Sequence, residues 1–491
     1  MLAHLPSPAS GRAAPRGPAP LRAPRGIVAT LARRETRRLI ASFRFRALSA
    51  LILVLLILPA LTASAKYRGE RRAHTAAVAD YEALLRGATV DDLAELRHPA
   101  LRPAWRLAFA VDGGQSATPD LFSQALSPYA VPELRRVQPG NDRLPSPAPL
   151  DWMFTIRVVL SLAAFLLGYD AICGEREAGT LKLVLSYPVP RWKILLSKLA
   201  AVWVCLAVPV VLGTLGSVLL LRGLGEVPLA GEELLKAGLV VLLALWAAAF
   251  FALLALLVSA ATRSSSTSLS VLTLLWVGTV VVLPALGGLL AHRLAPIPSE
   301  GEIEQRMRAA DRRIAQRYAG REGRWRAPEW AEADGYSWER VSARAETERG
   351  AIQDGIRRWM IDRKIEQARV ARDLAAVSPP ALVQDLAERL TGSGLWRDRA
   401  FLDQARAFRQ VLGERVRRLD GADPASPHIL FFRGYLSRRA VAPREIPRFR
   451  LREVPVAEAL GAARPALAVL GLETVLLAAL ALFVFVRHEP G

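Results

Sequence analysis

Two cysteines in 491 residues leave nothing from which a disulfide framework or a cysteine-rich zinc site could be built. Cys173 stands at the end of one apolar run and Cys205 inside another, so thiol usage tells nothing about the compartment. The six histidines are scattered, without an H-E-x-x-H helix, and no G-x-S-x-G elbow occurs. No G-x-x-x-x-G-K-[ST] loop is present either, so the chain lacks that backbone cradle for the phosphates of ATP. Charge is missing where a soluble protein needs it: the third, fourth and fifth long apolar runs are nearly free of it through their centres. A soluble core helix would keep a polar stripe there. These absences argue together against an intrinsic enzyme and against a water-soluble domain.

What is present is apolar and segregated. The chain is 52% hydrophobic although 22% of its residues are charged, so the apolar residues must be gathered in blocks. Runs long enough to cross ~30 Å of hydrocarbon at about 20 residues each fall at 47–66, 152–173, 199–221, 234–261, 269–292 and 465–486. The expected fold class is an all-α polytopic membrane protein with six transmembrane helices. The formal net charge of +20 would suit a nucleic-acid binder. The arginines are instead spread through tails and loops around the apolar runs, with no nucleic-acid motif, so no nucleic-acid partner is expected.

Residues 1–26, rich in Pro, Ala and Arg, cannot bury a core and read as a disordered tail. Residues 27–46 set Ile27, Leu31, Leu39, Ile40 and Phe43 among Arg33, Arg34, Arg37, Arg38, Arg44 and Arg46. This is the pattern of a basic amphipathic helix lying on an anionic leaflet, or of the solvated flank of a span. Arginine this dense before the first span places the amino terminus in the cytoplasm, and six spans return the tail at 487–491 to the same side. The loops at 174–198 and 262–268 are basic and the one at 222–233 is acidic, as that orientation requires. The multi-pass chain is therefore assigned to the inner (plasma) membrane with both termini cytoplasmic. Ala63-Ser64-Ala65 resembles a signal-peptidase site, but the apolar run before it is long and far from Met1, so an uncleaved anchor is expected.

Two segments would then lie outside the cytoplasm. The first, 67–151, mixes short helical patterns at 80–85 and 90–96 with Pro/Gly-rich turns. The second, 293–464, shows long amphipathic periodicity from Glu302 to about Ala376, broken by a Gly/Trp-rich region near 320–338. Ser378-Pro379-Pro380 is a helix-start signal. Both insertions are expected to be mainly helical, as separate domains, and the second to dock on a neighbour. Pro209 and Pro284, within the third and fifth spans, are expected to be tolerated without kinking.

The segment 174–198, GEREAGTLKLVLSYPVPRWKILLSK, is too polar for hydrocarbon and lies between two spans. Glu175 and Glu177 precede Ala178-Gly179-Thr180, where glycine permits a tight turn and Thr180 can cap the short helix that follows. That helix would expose Leu181, Val184 and Leu185 with Lys182 opposite, and Pro188 and Pro190 would stop it. Arg191, Trp192 and Lys193 lead through Lys198 into the next span. An ordinary basic loop explains the lysines and arginines, but not the paired acids, the Gly-Thr turn and the proline stop together.

At these residues the chain resembles the ABC-2 type transporter permeases, whose hallmark is an E-x-G-T-rich segment between the second and third spans. Glu177, Gly179, Thr180, Leu181, Pro188, Arg191 and Lys198 fit that pattern, and the basic helix before the first span fits the family's elbow helix. The resemblance implies that 174–187 is a coupling helix seated in a separate ABC ATPase subunit, which carries the ATP and Mg. It implies no cofactor bound by this chain itself, and pairing with a second permease copy, identical or related. The large second insertion, with V-S-P-P-A at 377–381, is similar to a subgroup compared with the permease of copper-enzyme (nitrous oxide reductase) maturation exporters. An exporter of unidentified substrate is the function implied. The alternative is a membrane-anchored receptor or scaffold that holds an extracytoplasmic partner without transport. Two charges inside spans, Arg157 and Glu473, stand at similar depth and are read as a polar pair or cavity lining, with Arg157 reaching toward Asp151 as the alternative.

Overall fold

The computed structural model describes residues 26–115, 118–127, 129–137, 150–186, 189–318, 336–430 and 433–487. The expected tail at 1–26, apart from Gly26, and most of the Gly/Trp-rich region lie outside them. Among the described residues six helices are long and apolar enough to cross a membrane, and they overlap all six apolar runs.

The chain begins with α1 (Ile27–Ala41), none of whose residues is buried. Ser42 breaks the helix and starts the next, its hydroxyl accepting from the Phe45 amide at 3.2 Å. Helix α2 (Phe43–Leu84) has 42 residues, about 63 Å at ~1.5 Å per residue, twice the hydrocarbon thickness. The helical pattern at 80–85 is thus the far end of the first span's own helix, and Ala63-Ser64-Ala65 lies inside its unbroken middle. Helix α3 (Val90–Glu95) follows, started by a Thr89/Asp92 capping box.

The first insertion also contains what the sequence reading missed. Strands β1 (His98–Leu101), β2 (Leu121–Gln124) and β3 (Glu133–Arg135) form an antiparallel sheet in the order β1-β2-β3. Strands of three or four residues show no usable alternation, and β2 is buried at all four positions.

The second span comprises α4 (Trp152–Phe154), a π-helical stretch Thr155–Leu160 and α5 (Ser161–Gly168). It is tied to α2 by Trp152 Nε1 and Thr155 Oγ1, which donate to the carbonyls of Leu56 and Leu55 at 3.0 and 3.1 Å. Two short helices, α6 (Cys173–Glu177) and α7 (Thr180–Ser186), lead to the third span, α8 (Arg191–Leu224). A Cβ on Gly213 would stand 2.9 Å from Leu56 Cβ, so glycine is what lets α2 and α8 touch there. The fourth span is α9 (Gly231–Ala261), and the fifth is α10 (Ser265–Val277), a π stretch Gly278–Val282 and α11 (Leu283–Leu294). Pro209 sits inside unbroken α8, whereas Pro284 directly follows the π stretch, where the helical ladder changes.

The second insertion supplies α12 (Glu300–Tyr318), α13 (Ser337–Ala375), α14 (Pro379–Thr391) and α15 (Gly394–Gly421), and α16 (Val456–Arg487) is the sixth span. Helix α14 is not an outlying piece of it. Leu382, Val383, Leu386, Ala387 and Leu390 belong to the same core as the spans, and Ser378 Oγ donates to the Thr279 carbonyl of the fifth span's π stretch at 2.5 Å.

The two insertions, expected as separate domains, build one lobe. Ala100 and Phe122 share a core with Phe401, Leu402 and Ala405, and Val90 and Leu93 share another with Leu412, Val416 and Val441. Arg397, fully enclosed, donates to Gln115 Oε1 at 2.6 Å and the Pro103 carbonyl at 2.9 Å, and its burial lowers its pKa to about 10. Each segment buries the apolar face of the other, which neither could do alone.

Candidate functional site

At the end of the bundle opposite the lobe, the chain leaves the second span by breaking its helix after Gly168. The amides freed by the break need acceptors, and Ser259 of α9 supplies one: its buried Oγ accepts from Ile172 and Cys173 amides at 3.0 and 3.2 Å. Helix α6 follows for five residues and then reverses at Gly179, whose φ of +70° is a left-handed conformation suited to glycine. Thr180 fixes the turn by donating its hydroxyl to the Glu175 carbonyl at 3.2 Å, and α7 begins there.

The charged residues of this element reach helix ends. A helix leaves its last carbonyls and first amides unpaired. Arg176 donates to the carbonyls of Thr262 and Ala260 at 2.6 and 3.4 Å, at the end of α9. Glu177 accepts from the Ser265 amide at 3.0 Å and the Ser265 hydroxyl at 2.5 Å, at the start of α10. A cation at a helix carboxyl end and an anion at an amino end also suit the helix dipoles. Arg191, the first residue of α8, donates to the Val486 carbonyl at 2.5 Å, in the last turn of α16. Lys198, one side-chain surface in twenty-five exposed (4%), donates to Glu175 at 2.5 Å and to Glu35 of α1 at 3.2 Å. The stretch from Ile172 to Lys198 thereby holds the middle of α1 and the ends of α9, α10 and α16 against the second and third spans.

Two expectations change. Leu181, read as exposed, is buried among Ile172, Ile194, Leu195, Leu256 and Phe485. Thr180 and Gly179 turn α7 so that this leucine faces the bundle. Glu175 and Glu177, read as acids that grip another protein, are both engaged within this chain. The exposed side chains of the segment include Lys182, Leu183 (65% exposed) and Trp192 (50% exposed). Pro188 lies outside the described residues, as do the side chains of Val184 and Leu185. Glu35, Ser259 and Ser265 were not singled out from the sequence. The only available signal was Glu35 as the lone acid in a basic helix.

Arg157 and Glu473 are not brought together: no ion pair joins them among the described residues, and Arg157 Nε and Glu473 Oε2 are buried without hydrogen-bond partners. Helix α16 packs on α9 and α14, and the π stretch carrying Arg157 packs on α2, α9 and α14. Asp151 is no ion-pair partner for Arg157 either. Its carboxylate accepts from the Phe154 and Asp112 amides at 2.7 and 2.9 Å. Among the described residues no group of three or more His, Cys, Asp or Glu side chains is placed to hold a metal ion.

Comparison with known proteins agrees with this architecture. Two relatives are described as probable ABC transporter permease protein NosY. The one from Stutzerimonas stutzeri is 49% identical over 55 residues, 11% of this chain and 20% of the relative. The one from Pseudomonas aeruginosa is 46% identical over 55 residues, with the same coverage. The chain thus spans about a fifth of the length of these curated relatives. The model of the ABC-2 family transporter proteins matches residues 29–489, nearly the whole sequence, and the chain belongs to that family.

Proposed function

We propose that this chain is the membrane-spanning permease subunit of an ATP-driven exporter in the inner (plasma) membrane, with the α6–Gly179–α7 element facing the cytoplasm. A separate ABC ATPase subunit, carrying ATP and Mg, docks on the surface made by Lys182, Leu183 and Trp192. A second permease, identical or related, completes the assembly, and the substrate is unidentified. The observation that carries this reading is the attachment of α6 and of the first turns of α8 to four other helices. Arg176 holds α9, Glu177 holds α10, Arg191 holds α16, and Lys198 links Glu175 to α1. A displacement of α6 cannot stay local: it must move the ends of α9 and α10, pull on Lys198 of α8 through Glu175, or break charge-assisted hydrogen bonds. The family and the permease names of the two relatives support the same reading.

The test uses Leu183→Cys in a chain with Cys173 and Cys205 replaced by alanine. A membrane-impermeant maleimide should label inside-out vesicles and not intact cells. Addition of the ATPase subunit should then protect the thiol, and Leu183→Glu should abolish retention of that subunit on purification. Labelling from the outside would overturn the orientation, and unchanged labelling and retention would overturn the docking surface.

A further inference from the structure

The lobe contains a second constructed surface, remote in sequence from α6–α7. Helices α13 and α15 line a trough with a cavity volume of about 1110 Å3, closed on one side by the segment around β3. The ion pairs Asp354 with Arg409 and Asp362 with Arg406 show that the two helices run antiparallel along it. On α13 the lining extends from Glu346 to Ile361, about 22 Å at ~1.5 Å per residue. The facing wall is apolar and uncharged: Leu126, Val131, Pro132 and Leu134.

The helical floor is basic beyond its internal pairing. Arg349, Arg357, Arg358, Arg406, Arg409 and Arg417 line it against four carboxylates, Glu346, Asp354, Glu414 and Asp420. Asp354 is shared between Arg409 and Arg357, the latter at 3.5 Å. Arg406 lies 3.5 Å from Asp403 and 3.7 Å from Asp362, and its Nη2 is buried with no hydrogen-bond partner. Arg358 donates only to the Asp354 carbonyl, at 3.3 Å, and neither it nor exposed Arg417 makes an ion pair among the described residues. At one end His428 is held in a left-handed conformation, φ 58°, with Nδ1 2.7 Å from Asp420. Such a conformation in a non-glycine residue is uncommon and concentrates at ligand sites.

We propose that this trough binds an extended acidic peptide segment of a partner protein, its carboxylates on Arg358 and Arg417 and its apolar side chains on the Val131–Leu134 wall. The length favours a chain over a compact molecule: the volume exceeds the ~300–1000 Å3 of small-molecule pockets, and ~22 Å accommodates six or seven extended residues at ~3.3 Å each. A nucleic acid would find a small charge excess and an apolar wall in place of a continuous basic track with stacking aromatics. Exposed guanidiniums without ion pairs among the described residues, Arg358 and Arg417, opposite an apolar face instead ask for a ligand that alternates acids with apolar groups. The inference does not rest on the coupling reading, and its assay contains no ATPase.

The probe is a fluorescein-labelled eight-residue peptide alternating Glu and Val, titrated by anisotropy against the full chain in nanodiscs. Binding should weaken about tenfold in Arg358→Glu/Arg417→Glu, with melting temperature unchanged because both arginines are exposed and make no ion pair. The peptide with Gln for Glu should bind about tenfold more weakly as well, and Val131→Asp should weaken binding from the other wall. Equal binding of the Glu and Gln peptides, or no effect of the double variant, overturns the proposal. Displacement by citrate as effective as by unlabelled peptide would make the trough a compact polyanion site. Tighter binding of a single-stranded oligonucleotide, or self-association of the chain lost in the double variant, would assign it to nucleic acid or a second copy. Each of those results overturns the proposal too.

Discussion

Replacing Glu175 with alanine isolates the energetics of the most enclosed charge in the α6–α7 element. Lys198 exposes 4% of its side chain and has two partners, Glu175 at 2.5 Å and Glu35 at 3.2 Å. Removing Glu175 leaves the buried ammonium facing only Glu35, whose side chain is 25% exposed and thus partly solvated. Breaking a buried pair by removing one partner costs about 3–5 kcal/mol. The residual Glu35 contact lowers the expectation for Glu175→Ala to about 2–3 kcal/mol. Substituting both buried charges together, Glu175→Leu with Lys198→Met, removes the uncompensated ammonium and restores packing, so the double variant should lose about 1 kcal/mol or less. The assay is reversible unfolding of the purified chain in mixed micelles, with Glu175→Ala, Glu175→Leu, Lys198→Met and the double variant compared in a cycle. Coupling of about 2 kcal/mol is expected. A double variant as unstable as Glu175→Leu alone would refute the argument that the pair matters through the charge left behind. Transport should follow a different order. The double variant keeps stability but loses the tie between α1 and α8, so on the proposed function ATP-driven turnover should fall although the fold holds.

Ser259→Ala leaves the Ile172 and Cys173 amides without their acceptor and should cost about 1–3 kcal/mol, read in the same unfolding assay; Ser259→Thr, which retains a hydroxyl, should recover part of it. Gly213→Val forces atoms to within 2.9 Å of Leu56 and should destabilise by about 1–3 kcal/mol, with Leu56→Ala in the same chain restoring part of the loss. His98 is fully enclosed, with Tyr81 Oη 2.5 Å from Nδ1 and the Leu93 carbonyl 2.7 Å from Nε2, an arrangement a neutral ring satisfies at both nitrogens. Burial, with the nearby Arg448 charge, lowers its pKa from 6.5 to about 4. The unfolded chain therefore binds the proton first, and stability is full above pH ~6.5 and falls as pH drops toward 4. The loss should reach about 3 kcal/mol. Melting curves at pH 7 and 4.5 should show this decline, and His98→Gln should flatten it.

The spans were legible because a helix in hydrocarbon must be apolar on every side, and the centres of 199–221, 234–261 and 269–292 are. The polar segment 174–198 was equally plain, and so was its Gly179 turn. The engagements of its charges were not. Glu175 meets Lys198 across 23 positions and Glu177 meets Ser265 across 88, distances at which no local pattern speaks. Leu181 was misplaced because a seven-residue helix has two faces and only the Thr180 turn decides which one looks inward. The sheet escaped notice because Leu121–Gln124 is buried at every position and Phe122 packs with Phe401, Leu402 and Ala405, almost three hundred positions away. The pairing of Arg157 with Glu473 failed for a related reason: equal depth along two spans does not bring their side chains together, and each keeps a buried atom without a hydrogen-bond partner.

Helix α14 belongs at once to the lobe and to the bundle. Its apolar side chains lie in the core of the spans, and its Glu388 and Asp385 hold Arg372 of α13. A rearrangement of α9 against α16 must therefore drag α13, one wall of the basic trough, along with it. Thermodynamic reciprocity then fixes the converse: any cargo or companion that prefers one setting of α13 shifts the balance between bundle conformations by the same free energy. The lobe and the bundle are in this sense geared together, and an event on α13 reaches the spans through packed side chains rather than through solvent.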